Sequence, residues 1–365
     1  MLDNLSGVGS VQQRFARPQV RRADLANREN NDKIVIAVDC MGGDHGPIEV
    51  AKGAYLAAAN DSLEIRLIGP EVPLQAFLQS QKKRDNVSII PAAEVIMPDE
   101  QPVKAIRQKT DASMMVGLKL IKDGTVDALV STGNTGAIMA GSLLTLGRMS
   151  GLIRPALGAV MPSMKKRPFL LLDVGASMDP RPEQLVQYAQ MGSIYMNRIL
   201  GVPQPKVYLL NIGAEESKGN ELSKTVYSLL GQTDINFQGN LEARDLFSGT
   251  ADVVVTEGFT GNVALKLSEG LASGFVQLLR TYLTASLVSK GAALLLKPQF
   301  QKMRQFLDYN AYGGAPLFGP RGAVIKCHGN SKAAAIHSGV QTAERFVRQE
   351  VVAQMEKTFE EDRRQ

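Results

Sequence analysis

Two cysteines, three histidines and no tryptophan are unusually little chemistry for a chain of 365 residues. Cys40 and Cys327 are far apart, which argues against a disulfide-stapled secreted scaffold and against a structural zinc site. Aromatic residues make up only 5% of the chain. That is poor material for stacking bases, so no nucleic-acid partner is expected. No uninterrupted apolar run reaches the roughly 18 residues of a membrane-spanning helix. The opening MLDNLSGVGS has neither a basic n-region nor an apolar h-region, and a cytoplasmic protein is expected. The net charge of +5 is mild and suits acidic small molecules, an acidic protein or an anionic membrane alike.

What is abundant is glycine, 34 residues of it, together with short apolar runs. Residues 1–32 are polar with scattered arginines and read as a loosely ordered leader. From Lys33 the texture changes. IVIAVD, EIRLIG, DALVST, FLLLDVG, KVYLLN and DVVVTEG alternate with longer helical stretches, the pattern of buried parallel strands in an α/β protein. A single α/β domain over 33–350 is expected, with a charged tail over 351–365. In open α/β sheets the ligand lies at the carboxyl ends of the strands, and every polar motif of this chain follows a strand.

The first motif, VDCMGGDHGP, turns on Gly42 and Gly43 into a helix led by Pro47. Gly43, Asp44 and His45 are placed to hold an anion at that turn, or Asp44 caps the helix. Cys40 has no basic neighbour and reads as a packed thiol rather than a nucleophile. The second motif is STGNTGA. Thr132, Gly133, Asn134, Thr135 and Gly136 follow a strand and open a helix, a geometry that can surround a phosphate. It is neither a dinucleotide fingerprint nor a P-loop. Asp173 ends the strand FLLLD and is a candidate for orienting a cation or a neighbouring loop. In NIGAEESKGNE, Gly213 makes a turn, and Lys218 stands before a helix start, against the usual macrodipole preference. It either shares an anion with that helix end or is simply solvated. TEGFTGN presents Gly261 and Asn262 in an amide-rich turn. In KCHGNS, His328 and Ser331 either bind phosphate or cap a helix.

Taken in order, IAVDCMGGDHGP, STGNTGA, LLDVGA, NIGAEESKGNE, NLEARD, TEGFTGNVALK, YGGAPLFG and KCHGNS resemble the phosphate acyltransferase (acyl carrier protein:phosphate transacylase) family of bacterial phospholipid synthesis. The resemblance spans about residues 33–350. Cys40 stands where that family usually has alanine. The resemblance implies a Rossmann-like α/β/α sandwich similar to phosphotransacetylases and isocitrate dehydrogenases. It implies a homodimer that is soluble yet works at the membrane surface, with no metal or redox cofactor. The partners it implies are acyl carrier protein, inorganic phosphate and a membrane acyltransferase that acts on glycerol 3-phosphate. In that chemistry the glycine turns and Lys218 hold phosphate, and Asn262 polarises the thioester carbonyl. A phosphotransacetylase using short acyl-coenzyme A and a non-catalytic membrane-surface scaffold are the rival readings.

One stretch departs from the α/β texture. Between Glu269 and Asp308 there is no acidic residue, while Arg280, Lys290, Lys297, Lys302 and Arg304 are present. A helical hairpin is expected near 270–307. It is either a dimer interface or core element, or a contact with an anionic membrane through Leu287, Val288, Leu294, Leu295 and Leu296, and its basic rim could equally receive acidic acyl carrier protein.

Overall fold

The computed structural model describes residues 33–165, 167–300, 303 and 313–362. The 1–32 leader lies outside the described residues, as do Lys302 and Arg304 of the basic stretch. In chain order the elements begin β1 (Ile34–Asp39), α1 (Gly46–Ala57), β2 (Leu63–Gly69), α2 (Glu71–Gln79), β3 (Val87–Pro91), α3 (Pro102–Gln108) and α4 (Ser113–Lys122). Next come β4 (Ala128–Ser131), α5 (Thr135–Leu146), β5 (Ala156–Met161), β6 (Phe169–Leu172), α6 (Pro182–Leu200), β7 (Val207–Asn211), α7 (Glu221–Leu230) and β8 (Phe237–Glu242). The chain continues through β9 (Val253–Val255), α8 (Gly258–Leu283), α9 (Leu287–Leu295), β10 (Ala315–Phe318), β11 (Ala323–Lys326), α10 (Ala333–Arg348) and α11 (Val351–Asp362).

All the strands join one sheet in the order β3-β2-β1-β4-β11-β10-β5-β6-β9-β7-β8. Both faces are covered, so its central strands are apolar throughout: IVIAVD is buried at every position. The outermost strands, β3 and β8, are only half-buried. One face packs under α1, α2, α6, α7, α10 and α11, the other under α3, α4, α5 and the first turns of α8. This is the α/β/α sandwich expected from the sequence.

The polarity of the sheet was not expected. Strands β3, β2, β1, β4 and β11 run parallel, and so do β6, β9, β7 and β8. Between them β10 is antiparallel to β11 and to β5, and β5 is antiparallel to β6. Three antiparallel pairings reverse the second block relative to the first. Strand carboxyl ends therefore face opposite edges of the sheet, and the polar motifs fall into two groups.

The segment after residue 350 is not a free charged tail. Residues 351–362 form α11, which buries Val351, Met355 and Phe359 in the core at a spacing of four. The hairpin begins earlier than expected, because α8 is one helix of 26 residues, about 39 Å long at about 1.5 Å per residue. None of the described residues between 270 and 300 is buried, so this segment is not part of the chain's own core.

Candidate active site

The first group of loops follows β1, β4 and β11. Strand register sets Asp39, Ser131, Lys326 and Ala315 in one row across four neighbouring strands. Asp39 is buried and accepts hydrogen bonds from Ser113 Oγ (2.6 Å), Ser131 Oγ (2.6 Å) and the Met41 amide (3.0 Å). It ties the first two loops to the sheet. Those loops then touch backbone to backbone: a Cβ on Gly42 would come within 2.4 Å of Gly133 Cα. Asp44 does not cap α1, whose N-cap is His45. The Asp44 amide instead donates to Gly329 O at 2.8 Å, and His45 Nε2 lies 3.2 Å from Asn330 O. Ser331 does not cap α10 either, because the N-cap is Lys332. Thr132 Oγ1 and Ser331 Oγ are both buried and have no hydrogen-bond partner among the described residues. Both hydroxyls are available to donate to an oxygen-rich ligand.

The glycine turn of STGNTGA differs from a bare amide cradle. The Gly133 amide donates to Ser131 Oγ (3.1 Å). Asn134 caps α5 by accepting from the Ala137 amide (3.1 Å) and donates to Met97 O and Pro98 O. A Cβ on Gly136 would meet Pro102 Cγ at 2.7 Å, so that glycine is required by packing against α3 rather than by a ligand. Similarly, a Cβ on Gly43 would meet Thr132 Oγ1 at 3.0 Å. What remains open is Thr135, with the first-turn amides of α5, which have no intrahelical acceptor.

The second group follows β6, β7 and β9 at the opposite edge. Asp173 is fully buried. Its Oδ1 accepts from the amides of Leu157, Gly175 and Ala176, and its Oδ2 from Ala176 and Ser177, at 2.7–3.1 Å. Burial pushes its pKa up to about 6, against the pull of those amides. With both oxygens accepting from the chain's own amides, Asp173 shapes this loop. The turn TEGFTGN is likewise committed. Its residues form the first turn of α8, where Glu257 accepts from the Thr260 amide and Gly261 donates to Glu257 O. Gly261 serves close approach: a Cβ there would fall 1.8 Å from Asp173 O. Asn262, half-buried, faces the Asp173 loop, with its Cγ 3.8 Å from where a Cβ of Gly175 would be. Lys218 is exposed on the loop after the neighbouring strand β7, packed over Gly213, with its carbonyl accepting from Asn211 Nδ2.

The two groups meet at one cavity. On the face carrying α5 and α8, it is lined by Thr135, Ile138 and Met139 from α5, Leu157 and Leu317 from the floor, Ala176 from the Asp173 loop, and Lys326. A second pocket, of about 30 Å³, is lined by Ala159, Ala315, Leu265, Cys327, His328 and Ser331, among others. Both cavities are small and mainly apolar, with Thr135 and Lys326 on the first and His328 and Ser331 on the second. The long helix also crosses from one edge to the other. It starts at Asp173 and brings Glu269 Oε1 to 3.4 Å from His328 Nε2, while Lys266 pairs with Glu269 Oε2 at 3.0 Å. Burial holds His328 below the ordinary imidazole range, opposed by the Glu269 charge.

Lys326, Asp39 and Glu269 were not singled out from the sequence, although Lys326 lies inside the KCHGNS motif and Asp39 ends the first strand. Lys218 does not line either of these cavities. Cys40 and Cys327 are buried thiols whose pKa values burial pushes up, so neither is a nucleophile. Among the described residues no cluster of metal-ligating side chains occurs.

A family model described as "Fatty acid synthesis protein" matches residues 34–354. A curated relative named "Phosphate acyltransferase", from Brevibacillus brevis, is 48% identical over 317 residues, covering 87% of this chain and 94% of the relative. Among solved structures, a phosphotransacetylase from Streptococcus pyogenes superposes with a TM-score of 0.57 at 16% identity, covering 90% of this chain and 99% of that one. A 4-hydroxythreonine-4-phosphate dehydrogenase from Klebsiella pneumoniae gives a TM-score of 0.51 at 12% identity, covering 87% and 99%. At such identities these two likenesses speak for the fold alone.

Proposed function

Since the chain belongs to the phosphate acyltransferase family and is an enzyme of that kind, we propose that it transfers a long-chain acyl group from acyl carrier protein to inorganic phosphate. The acyl phosphate formed feeds phospholipid synthesis, and the transfer is reversible. The observation that carries this reading is the convergence of Thr135 and Lys326 with Ala176 of the Asp173 loop on one small cavity, Asn262 lying against the same loop. A phosphate oxygen attacks the thioester carbonyl carbon, the carbonyl oxygen becomes an oxyanion, and the carbon–sulfur bond breaks to release the carrier's thiol. A thioester is already activated, so no covalent enzyme intermediate is needed. The protein contributes proximity and charge stabilisation. Asn262 donates to the oxyanion, Thr132 and Ser331 offer hydroxyls to phosphate oxygens, and Lys218 contributes charge at the mouth. The apolar walls exclude water from a product that is itself a reactive anhydride.

The acid-free hairpin supports the rest of the reading. Its cations attract an acidic carrier protein and anionic lipid, and its leucines enter the headgroup boundary. Phe259, Val263, Leu267, Leu271, Phe275, Leu278 and Tyr282 are exposed along one side of α8, a stripe suited to a twofold partner in a homodimer. Among the described residues no helix is long and apolar enough to cross a membrane. The enzyme works in the cytoplasm at the inner face of the cell membrane, where a membrane acyltransferase consumes its product on glycerol 3-phosphate. Turnover of a long-chain acyl-[acyl carrier protein] should far exceed that of acetyl-coenzyme A, and Asn262→Ala should lower kcat by about 10²–10³ with a smaller change in KM. Preference for acetyl-coenzyme A would instead mark a phosphotransacetylase.

A further inference from the structure

Lys326 presents a charge with an incomplete set of partners. It ends β11 and stands in the row Asp39, Ser131, Lys326, Ala315. Its ammonium donates to Cys327 O, the one hydrogen bond it makes among the described residues. An ammonium carries three donors, so two are left over. Asp39, the carboxylate in the row, accepts from Ser113, Ser131 and Met41 and acts on Lys326 as a nearby charge. The side chain lines the cavity with Thr135 on one side and Ala176 on the other. A buried cation with two donors left over and no ion pair among the described residues is suited to an anion that enters the cavity.

We propose that Lys326 is the residue that receives the inorganic phosphate dianion, holding it at the Thr135 end of the cavity. The inference rests on the acyl-to-phosphate reading and assigns the phosphate to a lysine different from Lys218. The charged groups around Lys326 are Asp39 and Asp44 from β1 and its loop, Lys266 and Glu269 from α8, and His328 on its own loop. Burial lowers the Lys326 pKa to about 8, opposed by Cys327, Asp39 and Asp44 and helped by Lys266. The sign of the pH effect follows. Below about 8 the lysine is charged and binds phosphate; above it the charge is lost. The lysine charge falls about tenfold between pH 7 and pH 9 while the dianionic fraction of phosphate rises about 2.5-fold, so the phosphate affinity of the free enzyme should fall about fourfold.

The test is calorimetric titration of the full chain with inorganic phosphate at pH 7 and pH 9, beside steady-state kinetics. Lys326→Met should weaken phosphate binding roughly ten- to a hundredfold at pH 7 and raise KM for phosphate while sparing KM for the acyl donor. Lys326→Arg, which stays charged, should retain binding at pH 7 and lose the decline at pH 9; it decides the matter even if the methionine variant does not fold. Wild-type affinity in a folded Lys326→Met, or a decline at pH 9 that persists in Lys326→Arg, would overturn the assignment. The two readings fail separately. Phosphate binding that depends on Lys326 without phosphate-dependent thioester turnover refutes the acyl transfer, whereas turnover with Lys326-independent phosphate binding refutes only this inference.

Discussion

Gly261 and Gly270 lie on the same helix in opposite circumstances. A Cβ on Gly261 would fall 1.8 Å from the carbonyl oxygen of Asp173, whereas Gly270 has nothing within 4 Å. Gly261→Ala should therefore force α8 away from the Asp173 loop, costing about 3 kcal/mol or more and disturbing Asn262 one residue on. Gly270→Ala should stabilise the chain by about 0.4–1 kcal/mol through helix propensity. Thermal unfolding of the two variants checks this; equal melting temperatures would mean that the Gly261 contact does not hold the loop. Residues of this kind mark the limit of sequence reading. The sequence identifies Gly133, Gly136 and Gly261 as turn glycines, but not that their missing side chains make room for protein atoms. Thr132 and Ser331 are legible as candidates because they follow strands. Lys326 is hidden inside an apolar strand end, and its significance comes from burial and from the cavity it lines, neither of which a linear pattern carries.

At the scale of the element, α8 joins the site to the surface. Its first turn packs against Asp173, its middle places Glu269 beside His328, and its far end leads into α9, where Leu287, Val288, Leu294 and Leu295 are each at least 70% exposed. The acid-free stretch is readable from composition alone, because absence of Asp and Glu is a linear property. The point at which the helix begins is not, since the TEGFTGN glycines suggest a turn and instead start the helix under the Glu257 cap. Replacing Leu294, Leu295 and Leu296 with serine should abolish sedimentation with anionic liposomes, leave turnover in solution intact, and not alter the oligomeric state. Binding to anionic vesicles by the unmodified chain should weaken with salt. Loss of the dimer with liposome binding retained would place these leucines in a protein interface.

The whole molecule is an α/β/α sandwich whose class is written in its apolar strand runs, and the order of its motifs is enough to indicate the family. The reversal of sheet polarity is not written there. It depends on β5 and β10, short strands whose direction is set by which neighbours they pair with rather than by any residue pattern. That reversal decides the geometry of the site: loops from opposite edges both contribute to one cavity, Thr135 and Lys326 from one and Ala176 from the other. The account stands on phosphate being the acceptor of the acyl group. The most direct measurement is to incubate the purified chain with a long-chain acyl-[acyl carrier protein] and follow free thiol and hydroxylamine-trapped acyl phosphate as phosphate is varied. Thiol release should be negligible without phosphate, rise to saturation with it, and be matched one for one by acyl phosphate. Thiol release that is indifferent to phosphate, or that yields free fatty acid, would contradict the account.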